Sequence, residues 1–245
     1  IETEGPNTDG IVIDSSKNVL IEKSFFDTGD DSIAIKSGTD KDGRRVNRPS
    51  ENIIIRDCKI DRGHGGVSIG SEISGGVRNI FVHDSIFIRP DSGIRIKSAS
   101  SRGGFVENIW AENIRMEEIK DSPMIIDMLY SSKYSTEEIY PPLIHDIHFK
   151  KISCKKSGMA LEIYGLEEAP AENIHIEESD ISSTEGISIK NSRDIFFKKN
   201  TITIEDGPSI RISNSSNIFL EKDYCRPGDD PCPKNKGAVS GIILE

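Results

Sequence analysis

The segment DSIAIKS at residues 31–37 alternates apolar and polar side chains. Its pattern returns as GGVSIGS at 65–71, SGIRIKS at 92–98, GMALEIY at 158–164, EGISIKN at 185–191 and PSIRISN at 208–214. A second phrase, Asn or Asp ahead of a short apolar run, returns between these copies: Asn18-Val-Leu-Ile, Asn52-Ile-Ile-Ile, Asn79-Ile-Phe-Val, Asn108-Ile-Trp-Ala, Asp146-Ile-His-Phe, Asn173-Ile-His-Ile, Asp194-Ile-Phe-Phe and Asn217-Ile-Phe-Leu. The starts recur at a ragged spacing of about 21 to 38 residues, which is the mark of a solenoid with insertions. Short alternating strands separated by Asn, Gly and Ser turns, with no sustained helical period, predict an all-β chain folded as a right-handed parallel β-helix. A β-propeller is the alternative, and it requires longer four-stranded blades at a more regular period. The recurring Asn is expected at a corner of each coil, bonding backbone.

The 245 residues are expected to form one such domain. The formal net charge of −10 argues against nucleic acid as a partner. It would also repel a polyanion, so an acidic substrate needs a local basic patch, for which Arg44, Arg45, Arg48, Arg62, Arg78, Arg89, Arg95, Lys97 and Arg102 are candidates. No apolar run is long enough to span a bilayer, so no membrane partner is expected. The first residue is Ile1, with no leader-like stretch after it, which implies a processed chain or a fragment. Cys225 and Cys232 bracket the loop CRPGDDPC and are candidates for a small disulfide or two free thiols. Cys58 and Cys154 read as small buried side chains.

Stacking converts sequence spacing into geometry. Asn7-Thr8-Asp9 precedes Asp30-Asp31 by about one coil, Gly63-His64-Gly65 lies one coil later, and Arg95-Ile96-Lys97 follows in the next. Each is a weak motif alone. In this order on one scaffold they closely resemble the signature segments NTD, DD, GHG and RIK of glycoside hydrolase family 28, the polygalacturonases, and the resemblance runs from about Asn7 past Tyr130. The polar stretch TDKDGRRVNRPSE at 39–51 and the wording GGVRNI at 75–80 are more similar to the exo-acting branch than to the endo-acting one.

The resemblance implies hydrolysis of α-1,4-galacturonosidic linkages in pectic polysaccharide by an inverting acid/base mechanism. Asp30 is then the general acid, with Asp9 and Asp31 activating water and His64 tuning the acid. Asn7, Arg95, Lys97 and Tyr130 contact substrate, with Tyr134 a competitor for the place of Tyr130. Arg95 and Lys97, two apart on one strand, are expected to meet a galacturonate carboxylate. Acids one coil apart lie nearer than the general separation rule gives for inversion. No metal or cofactor is expected, the partner is polygalacturonate or a pectic oligosaccharide, and a secreted or periplasmic monomer is implied. The family's chains carry several coils before NTD, so the chain is expected to be the C-terminal part of a longer catalytic domain. Rivals are a rhamnogalacturonan hydrolase of the same family, a β-helical pectate lyase using calcium, and a polysaccharide-binding module. The polar stretch Gly38 to Pro49 is expected to wall one end of the cleft, with Arg44, Arg45 and Arg48 holding the carboxylate at a chain terminus.

Overall fold

A computed structural model describes residues 1–130, 139–221 and 242–244. Tyr134, Cys225 and Cys232 lie outside the described residues. Each coil contributes up to three strands, and every pairing between named strands is parallel. One stack runs through Ile11–Asp14, Ile33–Lys36, Gly65–Gly70, Ser92–Lys97 and Met124–Asp127 into the end of the long strand Leu143–Tyr164. A second runs from Lys17–Glu22 through Ser50–Arg56, Val77–Phe87 and Phe105–Ile119 to Ser216–Leu220. A third, shorter stack begins at Phe25–Phe26 and Lys59–Ile60. This is the parallel β-helix that the repeat predicts.

The alternation in each copy of the repeat decides which side chains face inward. In the first stack Ile33 registers on Val67, Val67 on Ile94 and Ile94 on Met124, while Ile35, Ile69, Ile96 and Ile126 form a second inner column. All eight are fully buried. Truncating one to Ala leaves a void whose lining relaxes only in part, at a cost of about 2–5 kcal/mol. Cys58 and Cys154 are buried in the same hydrophobic core, as expected.

The corner Asn residues differ in detail from expectation. All eight positions adopt left-handed φ between 52° and 59°, which short Asn and Asp side chains tolerate best among residues with a Cβ. Their amides bond one another rather than backbone: Asn52 donates to Asn18, Asn79 to Asn52 and Asn108 to Asn79, at 2.7–3.1 Å. Asn173 donates to Asp146 and Asn217 to Asp194. An Asp accepts but has no N–H to donate to the preceding coil, so each Asp starts a new ladder. The rings two residues on bond the acceptors left behind, Trp110 Nε1 to Asn108 and His175 Nε2 to Asn173.

One further correction concerns the polar insertion. Asp40–Val46 forms a helix, opened by Thr39 and closed by Asn47 at φ 48°. Arg44 docks it on the following coils, donating to the carbonyls of Ser101 and Arg102 and lying 3.8 Å over the Tyr140 ring. Arg102 returns the contact through Asp40 at 2.9 Å.

Candidate active site

Backbone hydrogen bonds between coils assemble the site. Gly10 N–H donates to the Asp31 carbonyl, His64 N–H to that of Asp30, Ser32 N–H to that of Gly65, and Ser92 N–H to that of His64. The NTD, DD and GHG segments and the strand bearing Arg95 and Lys97 are thereby stacked in sequence order. The glycines flanking His64 serve this approach. Gly63 has φ +152°, and a Cβ there would stand 2.8 Å from the Asp30 carbonyl oxygen; one on Gly65 would stand 2.9 Å from Asp31 Oδ1.

Carboxylate oxygens of Asp9, Asp30 and Asp31 lie within 4.8 Å of one another. Each has different partners. Asp31, 3% exposed, accepts from Ser68 Oγ at 2.7 Å and from Lys97 Nζ at 2.8 Å. Asp30 Oδ1 accepts from the Asp31 N–H at 2.8 Å and lies 3.2 Å from His64 Nδ1 on the open side, His64 being half exposed. Asp9 lies 3.5 Å from Lys36 Nζ, which also reaches Glu72. Burial pushes the Asp9 carboxyl above its ordinary range; Lys36 opposes this, and the charges of Asp30 and Asp31 add to it.

Three converging carboxylates are also a donor set for a cation. Here the Lys97 and Lys36 ammonium groups stand against two of them and supply the compensating charge, which suits proton transfer better than metal binding. The spacing is tighter than the about 5–5.5 Å or 6.5–9.5 Å expected of a two-carboxylate retaining or inverting site, so that rule does not assign the stereochemistry.

Tyr130 joins the group through its N–H on the Ser98 carbonyl. Its ring centroid lies 5.4 Å from the Arg95 guanidinium carbon and 5.5 Å from Lys97 Nζ. Asn7 stands exposed at φ 57° at the head of the NTD segment. Lys97 departs from expectation, because its ammonium is engaged with Asp31. Most of the proposed basic patch is likewise committed: Arg62 to Asp27, Arg78 to Glu51, Arg89 to Asp61 and Arg45 to Asp42.

Sequence reasoning missed Ser68, Lys36 and a hollow of about 510 Å³ that extends the row beyond Arg95. Ser68 registers on both Ala34 and Arg95, so the motif GGVSIGS carried a usable signal. Asp127, Glu162 and Tyr164 line the hollow, and burial raises all three pKa values. Glu162 sits in the Arg95 column, two coils on.

Comparison with known proteins gives consistent results. Residues 1–185 match the model of the glycosyl hydrolases family 28. The chain is 32% identical to a probable polygalacturonase of Vitis vinifera over 70% of this chain and 35% of that one. It is 39% identical to an endo-polygalacturonase of Pectobacterium carotovorum subsp. carotovorum over 63% of this chain and 36% of that one. Among solved structures, a family 28 exopolygalacturonase of Yersinia enterocolitica superposes with a TM-score of 0.79 at 25% identity, over 91% of this chain and 39% of that one. The chain thus spans little more than a third of the length of these relatives.

Proposed function

The chain belongs to glycosyl hydrolases family 28, and from that premise we propose that it hydrolyses α-1,4 linkages between galacturonate residues of pectic polysaccharide. The observation that carries this reading is the convergence of Asp9, Asp30 and Asp31 within 4.8 Å, in the same row of coils as Arg95, Lys97 and Tyr130. Asp30 donates the proton to the leaving oxygen. Its support is position: Asp31 is tied to Ser68 and Lys97, whereas Asp30 faces the open side beside His64. Asp9 and Asp31 draw a proton from the attacking water, and the single inverting displacement is taken from the family resemblance rather than from the carboxylate spacing.

Arg95 binds the galacturonate carboxylate, since its guanidinium is a fixed fork matched to that group, and Tyr130 lines the sugar site. Lys97 takes a different role from the one its motif suggested. It orients Asp31 and neutralises charge within the cluster. Asn7 borders the same groove. Attack from one chain end is supported by the helix Asp40–Val46, which rises just after Lys36 and is anchored across two later coils. A polymeric pectic substrate places the protein outside the cytoplasm, secreted or periplasmic. No helix among the described residues is long and apolar enough to cross a membrane.

Reducing-end release from polygalacturonate, with chromatographic sizing of the products, tests the reading. Mono- or digalacturonate as the first product, with slow loss of viscosity, is expected. Unsaturated uronates absorbing in the ultraviolet, or no release from polygalacturonate, would overturn it.

A further inference from the structure

Past Arg95 and Lys97 the outward face of the first stack changes sign. Arg95 registers on Ile125, Ile125 on Glu162 and Glu162 on Ser188. Lys97 registers on Asp127, Asp127 on Tyr164 and Tyr164 on Lys190. Over the next two coils, then, the two cations of the motif give way to two carboxylates, a phenol and an isoleucine. These four side chains line the hollow of about 510 Å³ that continues the catalytic row. Its volume falls within the about 300–1,000 Å³ typical of ligand sites, and Met159 adds a second apolar side chain to the lining.

The charges around this hollow do not cancel. Four carboxyls, Asp121, Asp127, Glu162 and Glu185, share the lining with Arg95 and Lys120. Lys120 Nζ is turned to Asp91 at 3.3 Å, on the side of a separate hollow. Glu185 pairs with Arg211 at 3.3 Å, and Asp121 accepts from Ser92 Oγ at 3.4 Å. Asp127 accepts the Leu129 N–H, and among the described residues neither Asp127 nor Glu162 forms an ion pair. Burial raises both carboxyls, with Arg95 the one cation that opposes it. Once Arg95 holds a galacturonate carboxylate, no cation remains to meet a second one in the hollow. A carboxylate placed there would be a further like charge beside Asp127 and Glu162. Sugar hydroxyls, in contrast, find two acceptors in these carboxylates and a donor in Tyr164.

The next step rests on the galacturonan hydrolysis proposed above. We propose that the hollow binds a sugar residue without a free carboxylate, a methyl-esterified galacturonate or a neutral pyranose, beyond the galacturonate held by Arg95 and away from the catalytic carboxylates. Asp127 and Glu162 are its specificity-determining residues. They reject a free galacturonate by charge and accept hydroxyl hydrogen bonds from an uncharged residue, while Ile125 and Met159 supply apolar contact. The preferred substrate is therefore pectic chain with a free carboxylate at Arg95 and none in the hollow.

Steady-state kinetics on tetragalacturonates test this, comparing the unesterified oligomer with isomers that each carry one methyl ester at a different residue. One isomer, with its ester in the hollow, is expected to be cut with kcat/KM at least about tenfold above the unesterified oligomer. Glu162→Gln with Asp127→Asn should close that gap, chiefly by raising kcat/KM on the unesterified oligomer. The double variant should melt no lower than wild type, because the amides replace two half-buried carboxylates that have no ion pair. A tetramer with galactose at the same place separates the two uncharged sugars. Equal rates for galactose and ester mean that charge alone is read, and a slower galactose means that the ester methyl is also held; both support the proposal. A wild type that cuts the unesterified oligomer fastest overturns it, as does a double variant that slows both substrates alike. Failure to cut any member of the set would instead overturn the galacturonan hydrolase reading, and this proposal with it.

Discussion

Lys97 Nζ donates to Asp31 Oδ2 at 2.8 Å across 66 residues of sequence, and both side chains are almost entirely buried. The lysine of a motif that resembles a substrate clamp is thus built into the carboxylate cluster. Removing one member of a buried charge pair leaves the other uncompensated, which costs stability as well as the orientation of Asp31.

Lys97→Met is expected to lower kcat about 100-fold with little change in KM, because Asp31 loses the ammonium that orients it. Steady-state kinetics on polygalacturonate provide the check. A rise in KM at constant kcat would return Lys97 to substrate binding.

Asp9 binds its proton more tightly in the folded chain than in the unfolded one, since burial raises its folded pKa. Its stabilising contribution is therefore present below the unfolded value, about 3.9, and is lost as pH rises through the folded value. Asp9→Asn removes that ionisation. The variant should melt higher than wild type, by a margin that grows as pH rises above about 4, while losing most activity. A margin independent of pH, or of opposite sign, would contradict the assignment.

The repeat made the fold legible because inward and outward positions alternate strictly, as Ile33, Ile35, Val67 and Ile69 show, and a solenoid turns that alternation directly into columns. The carboxylate trio was legible because the NTD and DD segments lie about one coil apart and resemble the family's signature segments. Less accessible were contacts set by side-chain direction across coils. Ser68 and Lys36 read as outward polar positions like any other, and only the register brings them to Asp31 and Asp9. The helix at Asp40–Val46 escaped because Gly43 and the charges around it read as loop. Its stability comes from tertiary contacts of Arg44 and from Gly43, whose missing side chain admits Gly38 and Ser74.

Arg44→Ala removes the contacts that fix this helix to Ser101, Arg102 and Tyr140. If the helix closes one end of the groove, the variant should release longer oligomers and lower viscosity faster than wild type. An unchanged product ladder would show that the helix does not set chain-end attack.

Burial pushes the Cys154 thiol up to about 11, and Cys58 is raised by the same cause. Neither should react with iodoacetamide in the native protein at pH 8, and both should react in denaturant. Peptide mapping by mass spectrometry reads the result. Native labelling of Cys154 would mean that the inner columns open on the experimental timescale.

The central claim, that Asp30 delivers the proton to the leaving oxygen, is tested most directly by Asp30→Asn assayed on two substrates. On polygalacturonate the variant is expected to lose at least about 1,000-fold in kcat, because an amide has no proton to give. On an aryl galacturonide whose phenolate leaves without protonation it should retain most of the wild-type rate, whereas Asp9→Asn and Asp31→Asn should stay slow on both. Equal losses by Asp30→Asn on the two substrates, or rescue of Asp9→Asn instead, would contradict the account.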